Sequence, residues 1–164
     1  MAIDAHIKFE GIKGESTKVG REGQVEVLAW HWGMSQTGTF QSGSGGGAGK
    51  ANINDLTLTK WLDVASPNLM LFCASGKIVK EAILTMRKVS GDGKGGGLEY
   101  IKIVLKDVIV SSVSTGGSES EERLTENVSL NFAQCEFHFT TQKADGTKGE
   151  SPNFKWDVSK NKQL

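Results

Sequence analysis

Ile3-Asp4-Ala5-His6-Ile7-Lys8-Phe9-Glu10 alternates apolar and polar side chains without a break. Successive side chains of an extended chain point to opposite faces. Ile3, Ala5, Ile7 and Phe9 therefore line one face of a strand, and Asp4, His6, Lys8 and Glu10 the other. One dry face and one wet face belong to an antiparallel sheet lying over a core.

The same period recurs with phase slips. From Gln24 to Trp32, Val25, Val27 and Ala29 share one parity while Leu28, Trp30 and Trp32 share the other. Both faces are covered, and for Trp30 and Trp32 that means a bulge, a packed helix or a partner subunit. Tyr100 to Ser112 is also two-faced, with Ile101, Ile103 and Leu105 set against Val104, Val108 and Val110. Glu126 to Thr141 carries Val128, Leu130 and Phe132 on even positions, then Cys135, Phe137 and Phe139 on odd ones, which predicts a bulge near Ala133 and Gln134. Asp145-Gly146 marks a turn, after which Phe154, Trp156 and Val158 alternate as the answering strand.

One helix is signalled by Ser66 as N-cap, Pro67 at the first helical position, Leu69, Met70 and Cys73 on one face, and Gly76 just past the end. Ile78 to Lys88 fits either period: Ile78, Val79, Ala82, Ile83 and Met86 at helical spacing, or Ala82, Leu84 and Met86 as a strand. Three polar loops join the pieces: Thr37 to Asn52, Ser90 to Gly97, and Ser114 to Thr125 with Glu119, Glu121 and Glu122. With 164 residues and a mass of 17.6 kDa, residues 1–164 make one domain. The fold class is mainly β, a single antiparallel barrel or sandwich with one short α-helix.

Charge excludes several functions. Lys plus Arg is 19 and Asp plus Glu is 19, a formal net charge of 0, so no global field draws the chain to nucleic acid or anionic lipid. Aromatic residues, at 7%, are not interleaved with basic ones, which leaves no platform for stacking single-stranded bases. The 21 glycines are nearly double the usual share of about 7% and imply long flexible loops. Cys73 and Cys135 have no nearby second ligand and are expected as buried free thiols. Asp4, His6, Lys8 and Glu10 interrupt the first ten residues, so no signal-peptide core is expected, and no apolar run approaches the 18 or so residues of a membrane-spanning helix. Folding in the cytosol follows, with no membrane insertion.

Motifs for catalysis fail one by one. Ser44 to Ala51 imitates a phosphate loop at Gly49-Lys50, but Ser44 stands where the first glycine belongs and Ala51 where a hydroxyl must hold magnesium. Gly91, Gly93 and Gly96 have dinucleotide spacing, yet Leu98 to Leu105 reads as strand and offers no helix N-terminus. Glu136 and His138 share a strand face as two ligands without a third, so solvent-facing strand residues are the better account. Glu119, Glu121 and Glu122 read as a solvated acidic loop, no serine sits in a nucleophile elbow, and Asn127-Val128-Ser129 matches a glycosylation sequon by chance. No enzyme, metal or cofactor is expected.

Taken as wholes, several blocks resemble the Hcp (haemolysin-coregulated protein) family, the tube protein of bacterial type VI secretion. They are Phe9-Glu10-Gly11-Ile12-Lys13-Gly14-Glu15-Ser16; Ala65-Ser66-Pro67 with Ala74-Ser75-Gly76-Lys77; Ile109 to Gly117; Glu126-Asn127-Val128-Ser129-Leu130-Asn131-Phe132; and Trp156-Asp157-Val158. One departure is Phe154-Lys155 ahead of Trp156, where the family pattern has a glycine. The resemblance implies a β-barrel with one helix on its flank and a strand for Ile78 to Lys88. It also implies homohexameric rings stacked head to tail into a hollow tube inside a contractile sheath. Such a tube bears a spike-protein trimer at its tip and carries effectors in its lumen. It is cytoplasmic when assembled and secreted without a signal peptide. Members with a fused C-terminal toxin domain exist, and none is expected here, since the chain runs only to Leu164.

Two assembly sites are expected. Thr39, Phe40, Gln41, Ser42, Lys50 and Asn52 of the glycine-rich loop are candidates for ring stacking, and Val25, Val27, Trp30 and Trp32 for a subunit interface. Heterologous rings use two different patches per subunit, which suits strands apolar on both faces. Ordering about ten loop residues costs roughly 1 to 2 kcal/mol each, so stacking through this loop is expected to be weak in dilute solution. The competing reading is a monomeric small-ligand or carbohydrate-binding barrel using Trp30, Trp32, Trp61 or Trp156.

Overall fold

The computed structural model describes residues 3–41, 43, 46–88 and 97–164. Its elements are β1 (Ile3–Phe9), β2 (Val25–His31), β3 (Met34–Ser35), β4 (Asn52–Ile53), β5 (Leu56–Trp61), α1 (Ser66–Ser75), β6 (Ile78–Lys88), β7 (Glu99–Thr115), β8 (Thr125–Phe139), β9 (Asn153–Asp157) and β10 (Lys162–Gln163). The segment Ile78–Lys88 is a strand. All pairings are antiparallel, in the order β10-β9-β8-β5-β2-β1-β6-β7, and β7 returns to pair with β8. Six strands thus close into a barrel, and β9 and β10 extend its wall from the far half of β8.

Closure depends on β8 serving two neighbours on one side. Residues 125–130 pair with β5 and residues 134–138 with β9, while the other side pairs with β7 from Thr115↔Glu126 to Ile101↔Phe139. The core follows from the period of two: Ala5, Ile7 and Phe9, Val25 and Val27, Leu56 and Leu58, Ala82, Leu84 and Met86, and Val128, Leu130 and Phe132 are all buried.

Phase slips have separate causes. In β2 the register shifts between Val27 and Ala29, leaving Leu28 as a bulge residue, 43% exposed. In β8 the slip is real, but no residue is inserted at Ala133 and Gln134, contrary to the sequence expectation. Lys106↔Gln134 and Val108↔Phe132 keep one register, and β7 slips with its partner, burying Ile103 and Leu105, then Val108 and Val110. Asp107 takes up the turn with φ of 52°. The recorded register shift lies instead in β7, between Val110 and Ser112.

The helix also differs in detail. Ala65 is the N-cap residue and makes no side-chain cap; Ser66 is the first helical residue, with Pro67 behind it. Ser66, Leu69 and Phe72 form the buried face, whereas Met70 is 39% exposed and Cys73 half-buried. Gly76 ends the helix in the left-handed region, φ 67°, as its position predicts.

The Ser66 hydroxyl is occupied in the barrel interior. Lys60 follows Leu56 and Leu58 on the inward parity of β5 and lies directly across from Glu126 of β8; both are fully buried. Lys60 Nζ donates to Glu126 Oε1, to Ser66 Oγ at 3.1 Å and to the Trp61 carbonyl at 2.8 Å, and sits 2.9 Å from Asp63 Oδ1. Ser66 Oγ in turn donates to Glu126 Oε1 at 2.6 Å and accepts from the Asp63 backbone N–H at 3.0 Å. A buried ammonium is tolerated only when paired and hydrogen-bonded, so this cluster ties β5, β8 and the start of α1 to one point.

Residues 10–24 fold over the outer face of β1 and β6. Gly14 N–H donates to the Gly23 carbonyl at 2.8 Å and Ser16 N–H to the Gln24 carbonyl at 3.0 Å. A Cβ on Gly14 would meet the Gln24 carbonyl oxygen at 2.3 Å, so only glycine fits. This cover removes His6 from water although it points away from the barrel core: it is 0% exposed, with Nε2 3.2 Å from Ser16 Oγ and Nδ1 3.3 Å from Asp4 Oδ1. Burial holds the His6 imidazole below its ordinary range, against the opposing pull of the Asp4 carboxylate.

Removing one member of the buried pair, Lys60→Ala or Glu126→Ala, is expected to cost about 3 to 5 kcal/mol, because the other charge is stranded. The double variant Lys60→Met/Glu126→Leu is expected to regain most of that loss; urea unfolding measures both. For His6 the native state prefers the neutral ring, so the unfolded chain binds the extra proton. Stability is therefore expected to fall as pH drops below the unfolded value of about 6.5 and through the lower native one. In His6→Asn, urea midpoints across that window are expected to flatten.

Candidate functional site

The feature that stands clear of the barrel is an arm. β3 pairs with β4 through Met34↔Ile53 and Ser35↔Asn52, and a further bridge joins Gly38 and Ala48. Beyond it Thr39 Oγ1 donates to the Gly47 carbonyl at 2.8 Å. Phe40 at the tip is 85% exposed, and Gly46 lies so close beneath its ring that a Cβ there would come within 2.7 Å of a ring carbon. Gln41, Lys50 and Asn52 are exposed along the arm, while Ser42 lies outside the described residues. An 85% exposed phenylalanine on a projecting ribbon is an apolar group without a cover in the single chain.

Trp32 fixes the arm to the wall. Its Nε1–H donates to the Asn54 carbonyl at 3.0 Å, and its ring meets Phe132 edge-on at 5.9 Å and Phe137 in a stack at 6.4 Å. Asn54 N–H closes the root on the Gly33 carbonyl at 3.0 Å. Trp30 is half-buried against the core cluster. Val25 and Val27, at 1% and 5% exposure, point into the barrel, so their side chains face the core and not a neighbour. The exposed residues of β2 are Leu28, Ala29 and His31.

A second exposed apolar group surrounds the helix. Val64 and Leu71 are 55% and 59% exposed, and Ile78 and Ile109, cross-strand partners, are 54% and 39% exposed. None of the four tryptophans offers an exposed platform. Besides Trp30 and Trp32, Trp61 lies under Arg123 at 4.6 Å and Trp156 stacks on Phe154 at 6.3 Å. That arrangement gives a carbohydrate ring nothing flat to lie on.

Other sequence candidates are placed as follows. Glu136 and His138 bond to each other at 3.0 Å, a contact that holds the Glu136 carboxyl below its usual range, and no group of three or more metal-ligating side chains occurs among the described residues. Glu119, Glu121 and Glu122 are exposed. Ser44 and Gly45 of the phosphate-loop imitation, and Gly91, Gly93 and Gly96, lie outside the described residues. Both cysteines are free; Cys135 is buried, which pushes its thiol up to about 11, and Cys73 is half-buried. The Lys60–Glu126 pair escaped the sequence reading, though its signal was there: Lys60 continues the parity of Leu56 and Leu58, and Glu126 that of Val128 and Leu130.

Comparison with known proteins agrees with this architecture. Residues 6–139 match the family model described as type VI secretion system effector, Hcp. The chain is 51% identical to protein hcp1 of Pseudomonas aeruginosa over 164 residues, 99% of each chain. Among solved structures, a type six secretion system protein superposes with a TM-score of 0.90 at 27% identity, covering 99% of this chain and 100% of that one. Hcp1 from Salmonella typhimurium superposes with a TM-score of 0.82 at 36% identity, covering all of both chains.

If Trp32 holds the arm to the barrel, Trp32→Ala is expected to speed tryptic cleavage after Lys50 several-fold relative to cleavage in the barrel wall. Trp32→Phe, which keeps a ring against Phe132 and Phe137, is expected to fall between the two. Limited proteolysis followed by mass spectrometry reads the order.

Proposed function

The chain belongs to the Hcp family of type VI secretion tube proteins, and from that premise we propose that six copies close into a ring whose arms join it to the next. The observation that carries this is the arm with Phe40 at its tip, which projects from a barrel already closed on itself. A barrel with a complete core gains nothing internally from such a ribbon, so its exposed ring is a group for another copy.

Within the ring, the outward residues of β2 and the exposed apolar group of Val64, Leu71, Ile78 and Ile109 supply two different patches, as a heterologous contact requires. Leu28 and Ala29 take the interface role on β2, with Trp30 and Trp32 holding that strand's shape. Thr39, Phe40, Gln41, Lys50 and Asn52 of the arm carry the stacking contact, with Ser42 between them in sequence. Stacked rings form the tube, a contractile sheath surrounds it, a spike-protein trimer caps it, and effectors ride in its lumen until it is expelled without a signal peptide. The protein acts as a structural part and not as an enzyme.

Native mass decides the first step. Six copies of 17.6 kDa give about 106 kDa, which is the expected value, and a stable 17.6 kDa species would overturn the ring. Deleting residues 43–49 is expected to leave the ring mass intact and abolish stacking and secretion. Unchanged secretion in that deletion would remove the arm from the mechanism.

A further inference from the structure

The outer wall of β1, β6 and β7 holds a cationic cavity that the barrel does not need. It measures about 150 Å³ and is lined by Lys8, Arg21, Gln24, Ile83, Thr85, Glu99 and Lys102. Arg21 is 6% exposed; it donates to Thr85 Oγ1 and, at 3.2 Å, to Glu99 Oε2, while its Nε–H is buried with no protein acceptor. Arg87 lies nearby, its own Nε–H likewise buried and unmatched. Lys8 and Lys102 have no ion-pair partner among the described residues. Lys8, Arg21 and Lys102 against Glu99 leave this spot with an excess of two positive charges, in a chain whose formal net charge is 0.

The compensating charge lies elsewhere on the same chain. Glu119, Glu121 and Glu122 are all exposed in the loop between β7 and β8, and none has an ion-pair partner among the described residues. Arg123, the one cation in that run, is engaged on the face of Trp61 at 4.6 Å. The Glu119–Glu122 loop of the same copy does not reach this site. Lys102 stands near the start of β7 and the loop begins after its end at Thr115, some 40 Å of strand away at about 3.3 Å per residue. The loop, pinned at Thr115 and Thr125 and folded on itself by a bond from Glu121 N–H to the Ser118 carbonyl, reaches back about a third of that at about 3.3 Å per residue.

Complementary charges at opposite ends of one barrel wall specify a head-to-tail contact between copies. We propose that the Arg21 cavity is an oxyanion site completed by carboxylates of the Glu119–Glu122 loop from a second copy. Lys8 and Lys102 supply the attraction, and the buried Arg21 fork supplies directed donors. The inference rests on the assembly reading above and adds which groups bring two copies into register.

Zero-length carbodiimide coupling on an equal mixture of light and ¹⁵N-labelled protein tests it. The expected products join Lys8 or Lys102 to Glu119, Glu121 or Glu122, with one light and one heavy peptide in about half of them. In parallel, Lys8→Glu/Lys102→Glu is expected to weaken association between copies about tenfold or more in sedimentation velocity at low salt. Adding Glu119→Lys, Glu121→Lys and Glu122→Lys to the same chain is expected to restore it. A five-site variant no better than the two-site one, or links confined to single chains, would overturn the proposal. A 106 kDa ring lacking these links removes this contact alone, whereas a 17.6 kDa species under every condition removes the assembly reading as well.

Discussion

Barrel closure through β8 is the constraint on which everything else rests. One strand of fifteen residues pairs along one side with β7 and divides its other side between β5 and β9. That division closes six strands around the core and still leaves a short extension of the wall. An open sheet would expose a row of unpaired donors and acceptors at each edge. Closing the barrel leaves only short edges among the described residues, at β9 and β10, along β7 beyond Ile109 and on the arm.

The price of closure is visible at the barrel's end, where the core runs out of apolar residues. Lys60 and Glu126 meet there as cross-strand partners, fully buried; Ser66 and Asp63 hold the ammonium and Ser66 donates to Glu126 Oε1, while Glu126 Oε2 is buried without a hydrogen-bond partner. Ser66 is thereby taken from the capping role its position suggests, and the helix begins one residue earlier than its sequence signal. A buried charge pair adds little net stability over an apolar pair, but it penalises every alternative register that would separate the two charges. The helix is therefore fixed to the wall at a defined point, which holds the exposed Val64 and Leu71 in a constant position.

Outside the core, the wall is clothed unevenly. Residues 10–24 cover His6 and bury Arg21, so that strand positions with polar identities become interior ones. The arm, by contrast, is tied down only at its root by Trp32 and Asn54, and its tip remains in solvent. Both features suit the assembly proposed above, in which a fixed wall sets the geometry and the projecting arm meets a second copy.

How much of this could be read before folding varies with the range of the interaction. Alternation within Ile3–Glu10 gave β1, Asp145-Gly146 gave the turn toward β9, and Gly76 gave the helix end, because each depends on neighbours a few residues away. The family was legible as well, from blocks spread over most of the chain. Three things were not. Val25 and Val27 looked as free to meet a partner as Trp30, until closure placed them inside. The slip in β8 looked like an inserted residue, whereas β7 turns with it at Asp107, a fact held in a second strand. His6 read as a residue of the wet face, and nothing in the local pattern marked Arg21, Lys60 and Glu126 as buried, since polar identity points to water unless a distant segment covers it. Local pattern is carried by adjacent side chains and survives in the sequence alone. Burial, pairing and charge compensation are relations between residues tens of positions apart, and only the tertiary structure brings them together.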